Sequence, residues 1–197
     1  MAKDLSELLK QHCVGREIIL SKGRKLFERG QKAGKIYSIS SGKIRLVRAT
    51  QEGNTAIMHI GLSGETIAEA ALFSDVYHCD AIVDEESTVI AYDTELIIDA
   101  LKQDANLSLR LVECLSRQVQ QLRTLAEIRS IRSARNRIIE YLEYIAHPEK
   151  TAKIPGTLKD CACRLGLTHE TFYRKLAELE NNAEIRRDGL HLTLLNR

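Results

Sequence analysis

The spacing of apolar and polar positions along the chain changes character part-way through. Between residues 15 and 61, short apolar-rich runs recur about every ten residues with glycine between them: Glu17–Leu20, Lys35–Ser40, Lys43–Arg48 and Thr55–Gly61. Runs of this kind predict the strands of an all-β barrel or sandwich. Glu52-Gly53-Asn54 predicts a hairpin turn between the last two. A further strand pair is expected at Cys79–Asp84 and Thr88–Asp93, with helices at Leu5–Gln11 and Thr94–Gln103 closing the two ends of the region.

From Asp104 the period becomes helical. Residues 104–129 contain neither Gly nor Pro and predict one helix, about 39 Å long at 1.5 Å per residue. Leu111, Leu115, Gln118, Leu122 and Leu125 follow alternating spacings of four and three, the seam of a coiled coil. A second stripe, Leu107, Cys114, Gln121 and Ile128, lies beside it. One stripe can pack on the β domain while the other meets an identical helix. The alternative is a helix buried within its own monomer. The length, more than one small barrel can cover, favours the dimer seam.

Beyond the long helix the local signals are dense. Ser133 can cap a helix over Ala134–Ala146, with Ile138, Leu142 and Ile145 on one face. His147-Pro148 ends it, and His147–Lys153 reads as an exposed loop. Thr157 and Asp160 form a variant capping box for a short helix reaching Leu165. Gly166-Leu167 makes a tight turn, and Thr168 caps a helix from His169 to about Asn181. Ile185–Arg187 and Leu190–Leu194 flank Asp188-Gly189, a hairpin signal. Helix, glycine turn, helix and hairpin predict a winged helix-turn-helix. The fold class is therefore α+β, with a β-roll domain over 1–103, a dimerisation helix over 104–130 and a winged helix-turn-helix over 131–197.

Charge sharpens the picture. The 197 residues carry a net +2, but residues 1–100 carry −3, residues 101–130 carry +2 and residues 131–197 carry +3. The positive end is the one with the helix-turn-helix pattern, which suits a nucleic-acid partner. No apolar run is long enough to span a membrane. The N-terminus MAKDLSELLK lacks the apolar core of a signal peptide, so a cytoplasmic protein is expected. Five cysteines without paired CxxC spacing are expected to be reduced thiols. No nucleophile–base–orienter set and no glycine-rich phosphate loop is present, so an enzyme is not expected.

LFERGQKAGKIYSISSGKIRLV at 26–47, GETIAEAALF at 64–73 and GLTHETFYRKLAELE at 166–180 together resemble the cyclic-AMP receptor protein / fumarate-nitrate reduction regulator (CRP/FNR) family of bacterial transcription factors. The three segments resemble, in the family's order, its opening β-roll strands, its phosphate cassette and its recognition helix. The resemblance covers nearly the whole chain. It implies a homodimer that binds double-stranded DNA at a pseudo-palindromic promoter site, acts as an activator, and touches RNA polymerase through the loop at 147–153. In this family a Glu and an Arg four residues later read the core of each half-site. Those positions are Glu170 and Arg174 here. A carboxylate accepts from cytosine N4 and a guanidinium donates to guanine O6 and N7. A surface salt bridge is the alternative fate of the pair. His169 and Tyr173 depart from the family's commonest residues, so the operator is expected to differ outside its central step. Thr168, Thr171 and Lys175 are candidates for phosphate contacts, and Leu165, Phe172, Leu176 and Leu179 for the core.

The effector region departs furthest from the family. Cyclic-AMP binders place Gly-Glu before the cassette helix and Arg-Ser after it, the Arg meeting the cyclic phosphate. Ala68, Glu69, Cys79 and Asp80 stand there instead, and Leu122 and Arg123 stand where relatives hold the adenine through hydroxyls. Without the arginine, and with an acid beside its place, cyclic AMP is not expected to bind. A [4Fe–4S] cluster is not expected either, because the N-terminal region offers only Cys13. The alanine-rich cassette Ala68, Glu69, Ala70, Ala71 and Leu72 is similar to regulators of nitrate respiration that respond to nitric oxide, where haem is the implied sensor. His78 and His12 are then the candidate axial ligands, a solvated histidine being the alternative for each. Cys79 could instead be a redox thiol. Cys161 and Cys163, two residues apart on a helix, point in different directions and suit no joint metal site. A second functional class remains open: a sensor whose basic C-terminal domain only docks a partner protein.

Overall fold

The computed structural model describes residues 3–49 and 55–195. The element order is α1 (Lys3–His12), β1 (Gly15–Leu20), β2 (Lys25–Phe27), β3 (Lys35–Ala49), β4 (Thr55–Leu62), β5 (Thr66–Ile67), a single 3₁₀ turn at Glu69–Ala71, and β6 (Asp80–Asp93). Then follow α2 (Thr94–Gln103), α3 (Ala105–Ser130), α4 (Ala134–Ala146), β7 (Thr151–Lys153), α5 (Leu158–Arg164), α6 (His169–Asn181), β8 (Ile185–Asp188) and β9 (His191–Leu194). Contacts divide the chain into two compact units, Met1–Gln118 and Val119–Arg197, with the division falling inside α3.

The first unit is an antiparallel roll in the order β1-β6-β3-β4, with β2 on β6 and β5 on β3. Two long strands organise it. The runs read as two strands at Lys35–Ser40 and Lys43–Arg48 are one strand, β3. The expected pair at 79–84 and 88–93 is likewise one strand, β6, and not a hairpin. The two pair from Lys35↔Asp93 to Val47↔Asp80, with register shifts at Ile39–Ser41, Ser41–Lys43 and Lys43–Ile44. Gly42 absorbs this irregularity: its φ is +89°, and a Cβ there would lie 2.4 Å from the Glu86 carbonyl oxygen. Glycine therefore bends the strand here where the sequence suggested a turn. The expected turn at Glu52-Gly53-Asn54 lies outside the described residues.

Alternation along β3 and β6 serves two cores, as the two-residue period of a strand requires. Tyr37 and Ala91 face the inside of the roll with Phe27, Ile39, Ile44, Ile67, Tyr77, Val83 and Val89. Ile36 and Tyr92, one residue along, face the other way and pack with Leu5, Leu8 and Leu9 of α1, Ile97 of α2, and Leu107, Leu111 and Cys114 of α3. The stripe Leu107–Cys114 is thus buried in its own unit, as the first of the two packing roles requires. Leu111, expected in the dimer seam, is also in this core at 8 % exposure.

In the second unit α4, α5 and α6 pack round Ile138, Tyr141, Leu142, Leu165, Phe172, Leu176 and Leu179, under the sheet β7-β9-β8. Ile128 at the end of α3 joins this core and Leu125 packs against it. β7 shortens the expected loop at 147–153: Thr151–Lys153 pairs with His191–Thr193, and the fully exposed stretch is 147–150. Among the described residues no helix is long and apolar enough to cross a membrane.

Candidate nucleic-acid interface

Short-range polar contacts place α6. The Thr157 hydroxyl accepts from the Asp160 N–H at 3.1 Å, and the Asp160 carboxylate accepts from the Thr157 N–H at 2.9 Å, closing the capping box that starts α5. Such a cap is worth about 1 kcal/mol. Gly166, at φ +64°, turns the chain, a conformation that strains any residue with a Cβ. The Leu167 N–H donates back to the Ala162 carbonyl at 2.9 Å. Thr168 then caps α6, its hydroxyl accepting from the Thr171 N–H at 3.2 Å.

Phe172, Leu176 and Leu179 bury one face of α6. The opposite face leaves Thr168, His169, Glu170, Tyr173 and Arg174 exposed. His169 and Tyr173 meet edge to face, with ring centroids 5.6 Å apart. Glu170 and Arg174 lie one turn apart on this face, and among the described residues neither has an ion-pair partner. The salt bridge that their spacing permits does not form, so a carboxylate acceptor and a guanidinium fork stand free side by side. Two of the expected phosphate contacts are engaged elsewhere. Lys175 binds the Glu178 carboxylate at 2.6 Å, and Thr171 accepts a hydrogen bond from the Thr168 hydroxyl at 2.9 Å. A lysine one residue beyond the exposed stripe meets its own helix first, which is why spacing alone overestimates its freedom.

The apolar stripe left uncovered on α3 shares Leu122 and the half-buried Leu115 with the expected seam and adds Val112 and Val119. Val112, Val119 and Leu122 are exposed, Leu122 at 65 %, and Leu115 is half-buried between them. Leu111 and Leu125 are taken up by the cores of the two units, and Gln118 is half-buried. The stripe Val112, Leu115, Val119 and Leu122 keeps the alternating three-and-four spacing of a seam.

The cassette residues do not form a shared site. Ala68, Ala71 and Cys79 pack into the roll interior, Leu72 joins the core on the other side, and Ala70 is exposed. Ala68 stands at φ +67°, a left-handed conformation uncommon for alanine. Phe27 stacks on Tyr77 at 4.0 Å and on Tyr37 at 5.8 Å, and the Tyr77 hydroxyl donates to the Lys35 carbonyl at 2.8 Å. Rings from distant strands therefore share the roll interior with the small side chains of Ala68 and Ala71. Burial pushes the Tyr37 phenol well above its usual range. Burial also pushes up the Cys79 thiol. Cys161 is raised for the same reason, to about 12. Burial raises the Glu69 carboxyl too, against the opposing charge of His59.

Asp80 turns away from any anion site. Its carboxylate accepts from the Arg29 N–H at 2.7 Å and pairs with Lys25 at 3.1 Å, contacts that hold it below the usual carboxylate range. Leu122 belongs to the second unit and is exposed. His78 is exposed, with Nε2 3.3 Å from the Ser74 hydroxyl, while its carbonyl accepts from Arg48 at 3.0 Å. His12 is exposed at the end of α1, 3.3 Å from Arg110. Haem does not fit these residues: both histidines lie on the surface, and aromatic rings pack the roll interior. Among the described residues no three His, Cys, Asp or Glu side chains gather as a metal site.

Residues 17–104 match the cyclic nucleotide-binding domain family. Over 184 residues the chain is 23 % identical to the fumarate and nitrate reduction regulatory protein of Vibrio cholerae, covering 90 % of this chain and 74 % of that one. The chain is thus similar, along most of its length, to a CRP/FNR-type regulator. Its fold matches those of solved relatives. FixK2 from Bradyrhizobium japonicum superimposes with a TM-score of 0.72 at 18 % identity, over 93 % of this chain and 94 % of that one. A CRP-family transcriptional regulator from Thermus thermophilus does so with a TM-score of 0.62 at 20 % identity, over 91 % and 92 %.

Proposed function

We propose that this chain is a homodimeric, sequence-specific DNA-binding transcription regulator that reads a pseudo-palindromic promoter site through α6. The observation that carries this reading is the exposed face of α6, where Glu170 and Arg174 stand unpaired beside His169 and Tyr173. Glu170 accepts from cytosine and Arg174 donates to guanine in the major groove. Thr168 sits at the helix N-terminus, where phosphate is favoured. The α3 stripe Val112, Leu115, Val119 and Leu122 pairs two copies, so that two α6 helices address half-sites one helical turn apart. The exposed loop 147–150 suits contact with RNA polymerase in activation. The β-roll serves as a packed scaffold that takes neither cyclic AMP, nor haem, nor a [4Fe–4S] cluster.

Binding to a selected operator, measured across a salt series, tests this reading. Log affinity should fall steeply and linearly with log salt, as counterions are released from phosphates, and the operator should outcompete random DNA. A shallow salt slope without preference for the operator would favour the other class, a C-terminal unit that docks a protein partner.

A further inference from the structure

We infer that Arg137 is a positioning residue for DNA binding, a bracket that ties the end of α3 to the turn in front of α6. The inference rests on the reading of α6 as the DNA-contacting helix. α3 ends at Ser130 and α4 starts at Ala134, so residues 131–133 form a three-residue joint. Arg137, on the first turn of α4, spans it. Its Nε and Nη2 donate to the Ile131 carbonyl at 3.0 and 2.6 Å, and its Nη1 donates to the Leu165 carbonyl at 3.0 Å. Leu165 is the C-cap of α5, directly before the Gly166 turn into α6. One planar guanidinium therefore holds both the joint behind α3 and the turn ahead of α6.

The chemistry suits the position. Carbonyls at helix C-termini lack intrahelical donors and carry the negative end of the helix dipole. Ile131 follows the end of α3 and Leu165 the end of α5, so a cation between them answers two negative ends. Arg129 adds a second cation at the same place, with Nη2 3.4 Å from the Cys163 carbonyl. Only an arginine presents donors in a rigid fork that reaches two carbonyls at once; a lysine ammonium is a single point of attachment. Among the described residues Arg129 reaches only one carbonyl, and Arg135, on α4 with Arg137, turns instead to Glu184. Arg137 is half-buried on α4 and its guanidinium is spent on two carbonyls, so it acts on DNA through placement.

A dimer reads two half-sites, so the fixity of each α6 relative to α3 appears as spacing selectivity. The test is affinity for a series of operators whose half-site centres are one helical turn apart or displaced from this by two base pairs. Wild type should lose roughly tenfold or more on displacement. Arg137→Gln should flatten this profile to about threefold or less, and Arg137→Lys should lie between. A residue that only supported folding would lower the active fraction and scale all operators alike. Parallel profiles for wild type and Arg137→Gln would therefore overturn the bracket. Should Arg137→Gln fail to fold, Arg137→Lys decides by the same comparison. If wild type shows neither operator preference nor spacing selectivity, the DNA-reading proposal itself falls, and this inference falls with it.

Discussion

The exposed face of α6 and the cassette between β5 and β6 carry similar chemistry, and the molecule treats them oppositely. On α6 a carboxylate, a guanidinium, an imidazole and a phenol stand in solvent, and Glu170 and Arg174 form no ion pair among the described residues. In the cassette region the comparable groups are engaged or packed away: Asp80 on Arg29 and Lys25, His78 on Ser74, Tyr77 in a ring stack, Cys79 in the core. Free polar groups on a rigid helix are ready for a partner, whereas satisfied ones support the fold. The difference teaches that the groups exposed on α6 stay available to a partner, while those of the cassette region are spent on the fold.

The comparison breaks first if the output surface does not need two copies. Val119→Lys with Leu122→Lys places two like charges in the proposed seam. Sedimentation should then show monomers, and operator affinity should drop toward the level of random DNA, a loss of about 4 kcal/mol or more. A dimeric double mutant would move the seam away from α3. The input side has a matching test. Tyr77→Ala removes the ring stacked most closely on Phe27 and the hydrogen bonds to Lys35, and should cost about 3–5 kcal/mol in denaturant unfolding. A loss under about 1 kcal/mol would mean that the stack is not structural and that the interior can open for a ligand.

A sharper contrast lies within α6 itself. Arg174→Ala should cost about 1–3 kcal/mol on the operator and relax selectivity at one base pair. Lys175→Ala, one residue away, removes a side chain already bound to Glu178, and should change operator binding by less than about 1 kcal/mol. Equal losses from the two substitutions, on operator and random DNA alike, would show that α6 supplies charge without readout.

Much of the second unit was legible because its signals act over three or four residues. Ser133, Thr157 with Asp160, Gly166 and Thr168 each mark a helix end by a contact that the local sequence alone defines. The roll was legible as a class but not in its joins. Whether Gly42 turns or bends a strand depends on Ser87 and Glu86, which lie more than forty residues away. Which members of the expected seam stay uncovered was illegible for a related reason. α3 is apolar on several faces, and spacing alone cannot say which face its own protomer covers. Leu111 went to the roll and Leu125 to the second unit, leaving Val112 and Val119 exposed. What fills the roll interior beside Ala68 and Ala71 was illegible, because Phe27 and Tyr37, whose rings pack in that same interior with Tyr77, lie far away in sequence. Nothing in the local pattern pointed to Arg137, whose partners at Ile131 and Leu165 belong to different elements.

The smallest expected effect concerns Asp80, and it separates two readings of one residue. If its charge guarded an anion site, Asp80→Asn would admit cyclic AMP. If its charge serves the fold, the substitution should leave cyclic AMP without effect on DNA binding and lower stability slightly. The geometry favours the second, since the carboxylate is spent on the Arg29 N–H and on Lys25. The pH dependence carries the sign. The Arg29 hydrogen bond and the Lys25 contact hold the folded-state pKa of Asp80 below its unfolded value. Its contribution is therefore present above the ordinary aspartate pKa of about 3.9 and is lost as pH falls through the lower folded-state value. Denaturant melts of wild type and Asp80→Asn should differ by about 1 kcal/mol or less at pH 7, and the gap should close as acid protonates the wild-type carboxylate. A gap that persisted unchanged in acid would assign the cost to shape and not to charge. A tenfold gain in DNA affinity with cyclic AMP in the Asn variant would reopen the cassette as an effector site.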